Sequence, residues 1–271
     1  MTATTNAPKQ GPLAGALAVV TGASSGFGAD FARILASHGC ELVLTARRED
    51  RMKTLADELA RAHGTVSHVI AASLSEPGGA QVLADRVAAL GRPVDVLVNN
   101  AGFGIHGDFL DHPWERQREL IELDVTSVAH LTHAFARGMR ERRRGWILFV
   151  SSIGAFQATP TYATYAASKS FVLSFGEALA AELKSAGVKV SVVCPGVAAT
   201  EFIETAGQTP TLYQRINMMK SRAVAEAGVR AMLAGKSCRI PGLQNSLPVF
   251  LMRFTPRRIA TALAGVFMRN G

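Results

Sequence analysis

The sequence contains few cysteines and few aromatic residues. The three cysteines, Cys40, Cys194 and Cys238, leave an odd thiol and show no paired spacing. This argues against a disulfide framework and favours a reducing compartment, the cytoplasm. Aromatic residues make up only 7% of the chain. No cluster of His, Cys and Asp has the spacing of metal ligands, so we expect no metal site.

Long apolar segments are also missing. The longest apolar candidates, 13–20 and 259–268, are too short to cross a bilayer. The first ten residues lack the dense basic region of a secretory signal. We therefore expect a protein that neither spans a membrane nor is secreted.

The chain has enough apolar residues for a globular core, with 48% apolar and 18% charged residues among 271. Lys and Arg number 29 and Asp and Glu 21, which gives a net charge of +8. Arg140, Arg142, Arg143 and Arg144 end a predicted helix, and no aromatic residues interleave with them as base stacking requires. We interpret this cluster as a solvated helix end and expect no nucleic-acid partner.

Short apolar runs alternate with amphipathic stretches along the chain. The runs are nearly continuous in Val, Leu and Ile, which is typical of strands buried on both faces, and the stretches between them have helical spacing. Six such β-α units predict an α/β fold with a Rossmann-type, doubly wound parallel sheet in a single domain. The predicted strands are 17–20, 41–46, 66–71, 94–98, 146–151 and 188–194, and the predicted helices are 29–38, 51–62, 77–90, 114–137, 166–185 and 222–235.

Glycines separate several predicted helices from the strands that follow, where a left-handed helix stop is expected. We divide the chain into a flexible lead (1–12), the sheet domain (13–242) and an apolar, basic tail (243–271). The helix-stop glycines are Gly39, Gly64, Gly91, Gly145 and Gly187.

The first predicted strand runs into a glycine-rich turn and then a helix. Glycine allows a tight turn and a close approach to a pyrophosphate, and the helix N-terminus offers free N–H groups to phosphates. The spacing is G-x-x-x-G-x-G; the general fingerprint, G-x-G-x-x-G, occurs at 102–107, where no helix follows. We interpret 102–107 as a mobile loop near the site. The turn residues expected to bind a dinucleotide are Gly22, Ser24, Ser25, Gly26, Phe27 and Gly28.

The second predicted strand ends in Arg47 and Arg48. NAD-binding sites use an acidic residue here for the ribose hydroxyls, whereas guanidinium groups suit a 2′-phosphate. The pair therefore favours NADP, and a solvated start of the next helix is the alternative.

Tyr165 and Lys169 lie four residues apart in a predicted helix and project from one face. An ammonium beside the phenol is expected to lower the tyrosine pKa from its usual value of about 10, which makes Tyr165 a candidate general acid/base. Ser152 follows the fifth strand and could hold a substrate oxygen. A nucleophilic-serine hydrolase is the rival chemistry, but Ser152 lacks the G-x-S-x-G elbow.

Taken together, these motifs resemble the short-chain dehydrogenase/reductase family over about residues 13–242. The resemblance rests on TGASSGFG at 21–28, NNAG at 99–102, Ser152, YAASK at 165–169, and Pro195-Gly196 with Thr200. Segments 99–104, 165–172 and 241–245 also resemble a DltE-like bacterial branch, whose name implies little about substrate.

The resemblance implies roles for individual residues. Tyr165 exchanges a proton with the substrate oxygen, Lys169 binds the nicotinamide ribose and lowers the tyrosine pKa, and Ser152 orients the carbonyl. Residues 99–102 support the sheet and wall the adenosine side. Further cofactor contacts are implied for Asn100, Ala101, Gly102, Pro195, Gly196, Val197 and Thr200.

Two positions depart from the family pattern. Asp124 stands where the family has an asparagine, in a helix whose kink holds a water linked to the lysine. A carboxylate there could shift the titration of the site, so Asp124 is a candidate catalytic residue. Ser73, followed by Leu74, stands where an aspartate contacts the adenine amine; serine can still form a hydrogen bond there.

Apolar side chains are expected around the substrate carbonyl. Their character suits an apolar carbonyl or alcohol, although burial in the core is the alternative. The candidates are Phe103, Ile105, Phe156, Tyr162 and Phe202.

The tail combines apolar residues with arginines. We favour helices packed on the domain or on a neighbouring subunit over a surface helix on anionic lipid, because Pro248 and Pro256 interrupt any long helix. The sequence thus predicts an NADP-dependent oxidoreductase that interconverts an apolar ketone or aldehyde and its alcohol, as a homodimer or homotetramer. The alternative is a nucleotide-binding regulatory or scaffold protein without turnover, supported only by Asp124.

Overall fold

Seven parallel strands form one sheet in the computed structural model, which describes residues 11–268. All six predicted strands are found within two residues of their predicted bounds. Residues 1–10 of the predicted lead and 269–271 of the tail lie outside the described residues. The strands are β1 Leu17–Thr21, β2 Glu41–Ala46, β3 Ser67–Ala71, β4 Val96–Asn99, β5 Gly145–Val150, β6 Val188–Val193 and β7 Cys238–Arg239.

Helices cover both faces of the sheet. One apolar core joins the sheet to α1, α2 and α9, and a second joins it to α3, α5 and α6. The helices are α1 Gly26–Ser37, α2 Glu49–His63, α3 Gly79–Ala88, α4 Trp114–Ile121, α5 Ser127–Glu141, α6 Ala163–Leu183, α7 Phe202–Thr205, α8 Leu212–Ile216, α9 Ser221–Ala234, α10 Leu243–Met252 and α11 Arg257–Met268.

The strand order is β3-β2-β1-β4-β5-β6-β7, and every pairing is parallel. Every residue of β1, β4 and β5 is buried, as expected for strands covered on both faces. The order reverses between β1 and β4, and ligands of such sheets bind beyond the carboxyl ends of the strands at this point. The predicted doubly wound Rossmann-type fold is confirmed.

The predicted helix 114–137 is divided. A π-helical turn, Glu122–Thr126, separates α4 from α5. Across this turn, the Ser127 hydroxyl donates to the Leu123 carbonyl at 2.6 Å. Asp124 itself is completely buried. Hydrophobic periodicity did not reveal the turn, because one inserted residue hardly changes a helical pattern.

Gly145 does not act as the left-handed stop that the sequence suggested. The positive φ after α5 belongs to Arg143, at 53°, whereas Gly145 begins β5. A Cβ on Gly145 would lie 2.6 Å from the Met139 side chain, so close packing requires glycine there. The other predicted stops have the expected positive φ, between 66° and 84°: Gly39, Gly64, Gly91 and Gly187.

The arginine cluster lies at the end of α5, as predicted. Its side chains bind backbone carbonyls of neighbouring segments, with Arg142 donating to Val94 at 2.8 Å and Arg143 donating to Ser185 at 2.7 Å. The cluster therefore joins the helix end to its surroundings.

The sequence did not predict β7, which has only two residues and pairs with β6. Its Cys238 sulfur lies 3.9 Å from that of Cys194, a proximity that the sequence spacing did not suggest. The tail forms α10 and α11, which bury Val249, Ala260 and Ala264. None of the helices within residues 11–268 is long and apolar enough to cross a membrane.

Candidate active site

The glycine-rich turn lies beyond the carboxyl end of β1. Gly22 and Gly26 have positive φ values of 68° and 52°. A Cβ on Gly22 would lie 2.8 Å from the Asn100 amide nitrogen, and one on Gly28 would overlap the Gly22 carbonyl. The Asn100 amide donates to the Thr21 carbonyl at 2.8 Å and so fixes the turn to the end of β4. This backbone cradle can approach a phosphate closely.

The first turn of α1 follows this cradle. Within the described chain, the Ser25 hydroxyl makes no capping hydrogen bond to α1. The N-terminal N–H groups of α1 therefore have no side-chain acceptor from Ser25. Free N–H groups at a helix N-terminus attract phosphate, so the turn fits the pyrophosphate of a dinucleotide.

Arg48 connects this turn to the end of β2. Its guanidinium donates to Ser25 Oγ at 2.8 Å and to Ser24 Oγ at 3.3 Å. Arg47 is exposed and lines the same cavity. Both predicted arginines thus lie beside the predicted cofactor turn.

Glu201 is a residue of this site that the sequence did not reveal. Its carboxylate accepts hydrogen bonds from Arg48 at 2.8 Å and from Arg51 at 2.5 Å. These two guanidinium groups lower the pKa of Glu201 to about 2. The contact joins residues about 150 positions apart in the chain, so no local pattern could predict it.

Ser152, Tyr165 and Lys169 come together at the carboxyl end of β5. Tyr165 and Lys169 lie on α6, and the Lys169 ammonium lies 5.6 Å from the Tyr165 ring centroid. Ser152 follows β5, and its hydroxyl oxygen accepts a hydrogen bond from the Gly154 N–H at 3.0 Å. A hydrogen bond to Ser152 also lowers the pKa of Tyr165. The predicted trio is therefore one constellation.

Asp124 belongs to the same constellation. Its carboxylate lies 2.9 Å from the Lys169 ammonium, and the two side chains are 0% and 7% exposed. It also accepts hydrogen bonds from the Ser168 hydroxyl and the Phe103 N–H, each at 3.3 Å. The π turn thus brings a buried carboxylate against the lysine.

The tyrosine pKa does not follow the prediction. Burial raises the pKa of Tyr165, the charge of Asp124 raises it further, and the Ser152 hydrogen bond opposes the rise. The expected lowering of the Tyr165 pKa is wrong in this structure, because burial disfavours the charged phenolate more than the Ser152 hydrogen bond favours it. Burial also raises the pKa of Asp124, and the Lys169 charge opposes that rise.

One cavity of about 730 Å³ joins the glycine turn to this constellation. Ser73 is not among the described residues that line the cavity, whereas Ser75 is. The hydroxyl oxygens of Ser73 and Ser75 lie 3.1 Å apart, within hydrogen-bond distance. The other predicted cofactor residues outside the turn and its arginines do line it: Leu74, Asn100, Ala101, Gly102, Pro195, Gly196, Val197 and Thr200.

Three of the five predicted substrate-pocket residues, Phe103, Tyr162 and Phe202, line the cavity. Ile105 and Phe156 are not among its described lining residues, which corrects the predicted pocket. Ile105 packs in a small apolar cluster with Phe103, and Phe156 packs on the core beneath the sheet face that α6 covers. An apolar residue near a site can face either the core or the cavity, and the sequence does not distinguish the two.

Aromatic rings surround the Tyr165 side chain. The Phe202 ring centroid lies 5.1 Å from that of Tyr165, and the Tyr162 ring centroid lies 5.7 Å from it. The Tyr162 hydroxyl donates to Gln208 at 2.7 Å. The Tyr162 hydroxyl is therefore engaged by Gln208, away from Ser152 and Lys169.

The tail helices form a wall of the cavity, which the sequence did not predict. From α10, the buried Asn245 side chain packs against Gly196 and donates to the Pro241 carbonyl at 2.8 Å. No spacing rule connects these helices to the earlier motifs. The cavity-lining tail residues are Gln244, Asn245, Pro248, Val249, Leu251, Met252, Thr255, Leu263, Ala264, Phe267 and Met268.

No group of three or more His, Cys, Asp or Glu residues within 11–268 is arranged to hold a metal ion.

Comparison with known proteins agrees with this geometry. The short chain dehydrogenase family model matches residues 16–211. A short chain dehydrogenase of Pseudocercospora fijiensis is 38% identical over 220 residues, which cover 78% of this chain and 71% of that protein. A probable oxidoreductase of Mycobacterium tuberculosis is 35% identical over 192 residues, which cover 70% of this chain but only 32% of that longer protein.

Solved structures show the same fold. A short-chain dehydrogenase from Sphingobium yanoikuyae in complex with NADPH is 28% identical, with a TM-score of 0.79 over 89% of this chain and 97% of that one. One from Burkholderia phymatum in complex with NAD is 27% identical, with a TM-score of 0.78 over 89% of this chain and 94% of that one. The DltE-like branch is not confirmed by these matches and stays a prediction. The chain belongs to the short-chain dehydrogenase/reductase family of oxidoreductases.

Proposed function

We propose that the protein is an NADP(H)-dependent oxidoreductase that interconverts an apolar ketone or aldehyde and its alcohol. One observation carries the proposal: Tyr165, Ser152 and Lys169 line a single cavity that the glycine turn also lines. A dinucleotide held at the turn and a carbonyl held at Tyr165 would therefore share one chamber.

Proton transfer is assigned to Tyr165. Its hydroxyl would give a proton to the substrate oxygen during reduction and take one from the alcohol during oxidation. Ser152 would donate a hydrogen bond to the same oxygen and stabilise the charge that develops on it. When bound, the nicotinamide supplies or accepts the hydride.

Lys169 and Asp124 are assigned to support of Tyr165. Lys169 would bind the nicotinamide ribose, and its ammonium is held in place by the Asp124 carboxylate at 2.9 Å. Asp124 contacts Lys169, Ser168 and the Phe103 backbone, so it acts through its neighbours as a positioning residue.

The cofactor preference rests on Arg47 and Arg48. Both line the cavity at the end of β2, and Arg48 already binds the serine hydroxyls of the glycine turn. A 2′-phosphate placed there would meet guanidinium groups rather than the carboxylate that favours NAD. Arg48 is already paired with the Glu201 carboxylate, so a 2′-phosphate would compete with Glu201 for the Arg48 guanidinium.

The substrate class rests on the chamber around Tyr165. Phe103, Tyr162 and Phe202 contribute rings, and α10 and α11 contribute Val249, Leu263 and other aliphatic side chains. Such a lining favours a hydrophobic carbonyl over a sugar phosphate, because charged groups would lose their hydration there.

A carbonyl panel tests the proposal. NADPH absorbance is followed with ketones and aldehydes of increasing apolar size, and NADPH binding is measured separately. We expect turnover that improves with apolar size. Tight NADPH binding without turnover of any carbonyl would instead support a regulatory or scaffold protein, the alternative that the buried Asp124–Lys169 pair favours.

Three further assignments stay predictions: a cytoplasmic location, a homodimer or homotetramer, and a division into lead, sheet domain and tail.

A further inference from the structure

The outward sides of α10 and α11 carry large apolar side chains that are exposed. Phe254 is 74% exposed and Val266 is 73% exposed, while Leu247, Phe250 and Ile259 are each 52% exposed. None of these five is among the described residues that line the cavity. Their exposure is therefore to the surroundings of the protein, and the Phe250 and Phe254 rings lie together, with centroids 5.6 Å apart. Large apolar side chains exposed in this way mark interaction surfaces.

The opposite sides of the same helices are anchored to the protein. Val249, Ala260 and Ala264 are buried. At the end of α11, the Met268 carbonyl accepts a hydrogen bond from Gln208 at 3.0 Å and lies 3.3 Å from the His106 ring nitrogen. The two helices are thus packed on the protein through one side and expose their large apolar side chains on the other.

The charged side chains of α10 and α11 themselves are of one sign. Arg253, Arg257 and Arg258 are exposed, and none of them forms an ion pair within residues 11–268. Residues 243–271 contain no Asp or Glu. A partner that covers the apolar side chains therefore contacts these arginines, and α10 and α11 offer no acidic side chain to neutralise them.

This combination favours anionic lipid over a second copy of the chain. It reverses the preference that the prolines suggested, because Pro248 lies inside α10 and does not end it. A two-fold interface would place this surface against itself and bring arginines towards arginines. An anionic bilayer surface accepts apolar side chains at the acyl boundary and attracts arginines at the headgroups. We propose that α10 and α11 dock the protein on an anionic lipid surface.

Docking has a consequence for the cavity. Leu251 and Leu263 belong to the same two helices and line the cavity, so docking would bring the cavity wall to the bilayer. This would suit a lipid-dissolved carbonyl. That consequence rests on the proposed function, whereas docking itself does not.

Vesicle cosedimentation at low salt tests the docking. The full chain is mixed with vesicles of phosphatidylcholine alone, or of phosphatidylcholine with an equal amount of phosphatidylglycerol. We expect clear binding to the mixed vesicles only. Arg257→Gln with Arg258→Gln should weaken it by about fivefold per arginine, and Phe254→Ser with Val266→Ser should weaken it by about tenfold or more.

Matched controls lie elsewhere on the surface. Arg118→Gln with Arg137→Gln removes two exposed arginines from α4 and α5, and Leu110→Ser with Val82→Ser removes two exposed apolar side chains. Both controls should bind vesicles like the unsubstituted protein. All variants should keep NADPH turnover with a water-soluble ketone, so a failed proposed function is recognised separately as absent turnover in the unsubstituted protein.

Three results would overturn the docking proposal. One is equal binding, or none, to the two kinds of vesicle by the unsubstituted protein. Another is a loss of binding in the controls that matches the loss in the tail variants. The third is a dimer, seen by sedimentation, that dissociates on Phe254→Ser with Val266→Ser, since the surface would then belong to a second copy.

Discussion

The Asp124 carboxylate and the Lys169 ammonium form a buried ion pair, 2.9 Å apart, beside the candidate proton donor Tyr165. The π turn between α4 and α5 makes the pair possible, because it supplies the Asp124 side chain from within a helix. Burial raises the pKa of Tyr165 and the carboxylate charge raises it further, while the ion pair holds the Lys169 ammonium in place. The titrations of Tyr165 and Asp124 are therefore coupled.

Asp124→Asn should preserve the fold and keep or raise activity at neutral pH. The amide oxygen can still accept from Lys169, but the amide nitrogen then faces the Phe103 N–H, which loses its acceptor. We therefore expect a loss of about 1–3 kcal/mol in the free energy of unfolding. Removal of a like charge should lower the pKa of Tyr165. The rise of alcohol oxidation with pH should then move to lower pH, which a pH–rate profile measures.

Ser168→Ala is the matched control for this variant. It removes a hydrogen bond to Asp124 but leaves the carboxylate, so its pH profile should move less. Collapse of activity in Asp124→Asn with cofactor binding intact would give Asp124 a catalytic role of its own.

Tyr165→Phe should lower kcat by about a hundredfold to ten-thousandfold and leave NADPH binding nearly unchanged, because the phenol is assigned to proton transfer. Tyr162→Phe is the control, since that hydroxyl donates to Gln208. Steady-state kinetics and a binding titration compare the two. Retained turnover in Tyr165→Phe would remove Tyr165 from its role.

Arg47→Asp should weaken NADPH far more than NADH. Loss of a charged hydrogen-bond donor to the 2′-phosphate is worth about 1.5–3 kcal/mol, or roughly ten- to a hundredfold in affinity. The ratio of kcat/KM for the two cofactors measures the effect, with Arg61→Asp, farther along α2, as control. An unchanged ratio would show that Arg47 is only a solvated residue before α2 and does not contact the 2′-phosphate.

Glu201→Gln should strengthen NADPH binding by about two- to fivefold and leave NADH binding unchanged, because it releases Arg48 from an exposed ion pair. With a pKa of about 2, the Glu201 carboxylate is ionised across the ordinary assay range, so the gain should not vary with pH there. Any stability from its ion pairs is present above the ordinary glutamate pKa of about 4.3 and is lost as the pH falls towards 2. Weaker NADPH binding would mean that Glu201 supports the site.

Local patterns in the sequence predicted the sheet and the centre of the site. The strands appear as continuous apolar runs, the glycine turn has a fixed spacing, and Tyr165 and Lys169 share a helix face because they are four residues apart. Each of these signals lies within about ten residues of chain. In a doubly wound sheet the carboxyl ends of the strands lie at one edge, so the residues that follow the strands come together there.

Contacts between distant segments could not be predicted in this way. Glu201 meets Arg48, and Asn245 packs against Gly196, through tertiary structure alone. Ile105 and Phe156 were correctly seen as apolar, but the sequence could not tell a core side chain from a cavity wall. Hydrophobic periodicity did not show the π turn at Asp124, because a single inserted residue leaves the helical pattern almost intact; only the family resemblance implied a kink there.

Transfer of label from cofactor to product tests the central claim most directly. The protein is incubated with an apolar ketone and NADPH that carries deuterium at both C4 positions of the nicotinamide, and the product is examined by mass spectrometry. We predict an alcohol with one deuterium on the former carbonyl carbon, formed by the unsubstituted protein and by Tyr162→Phe but not by Tyr165→Phe. Tight binding of NADPH with no labelled alcohol from any ketone or aldehyde would contradict the account.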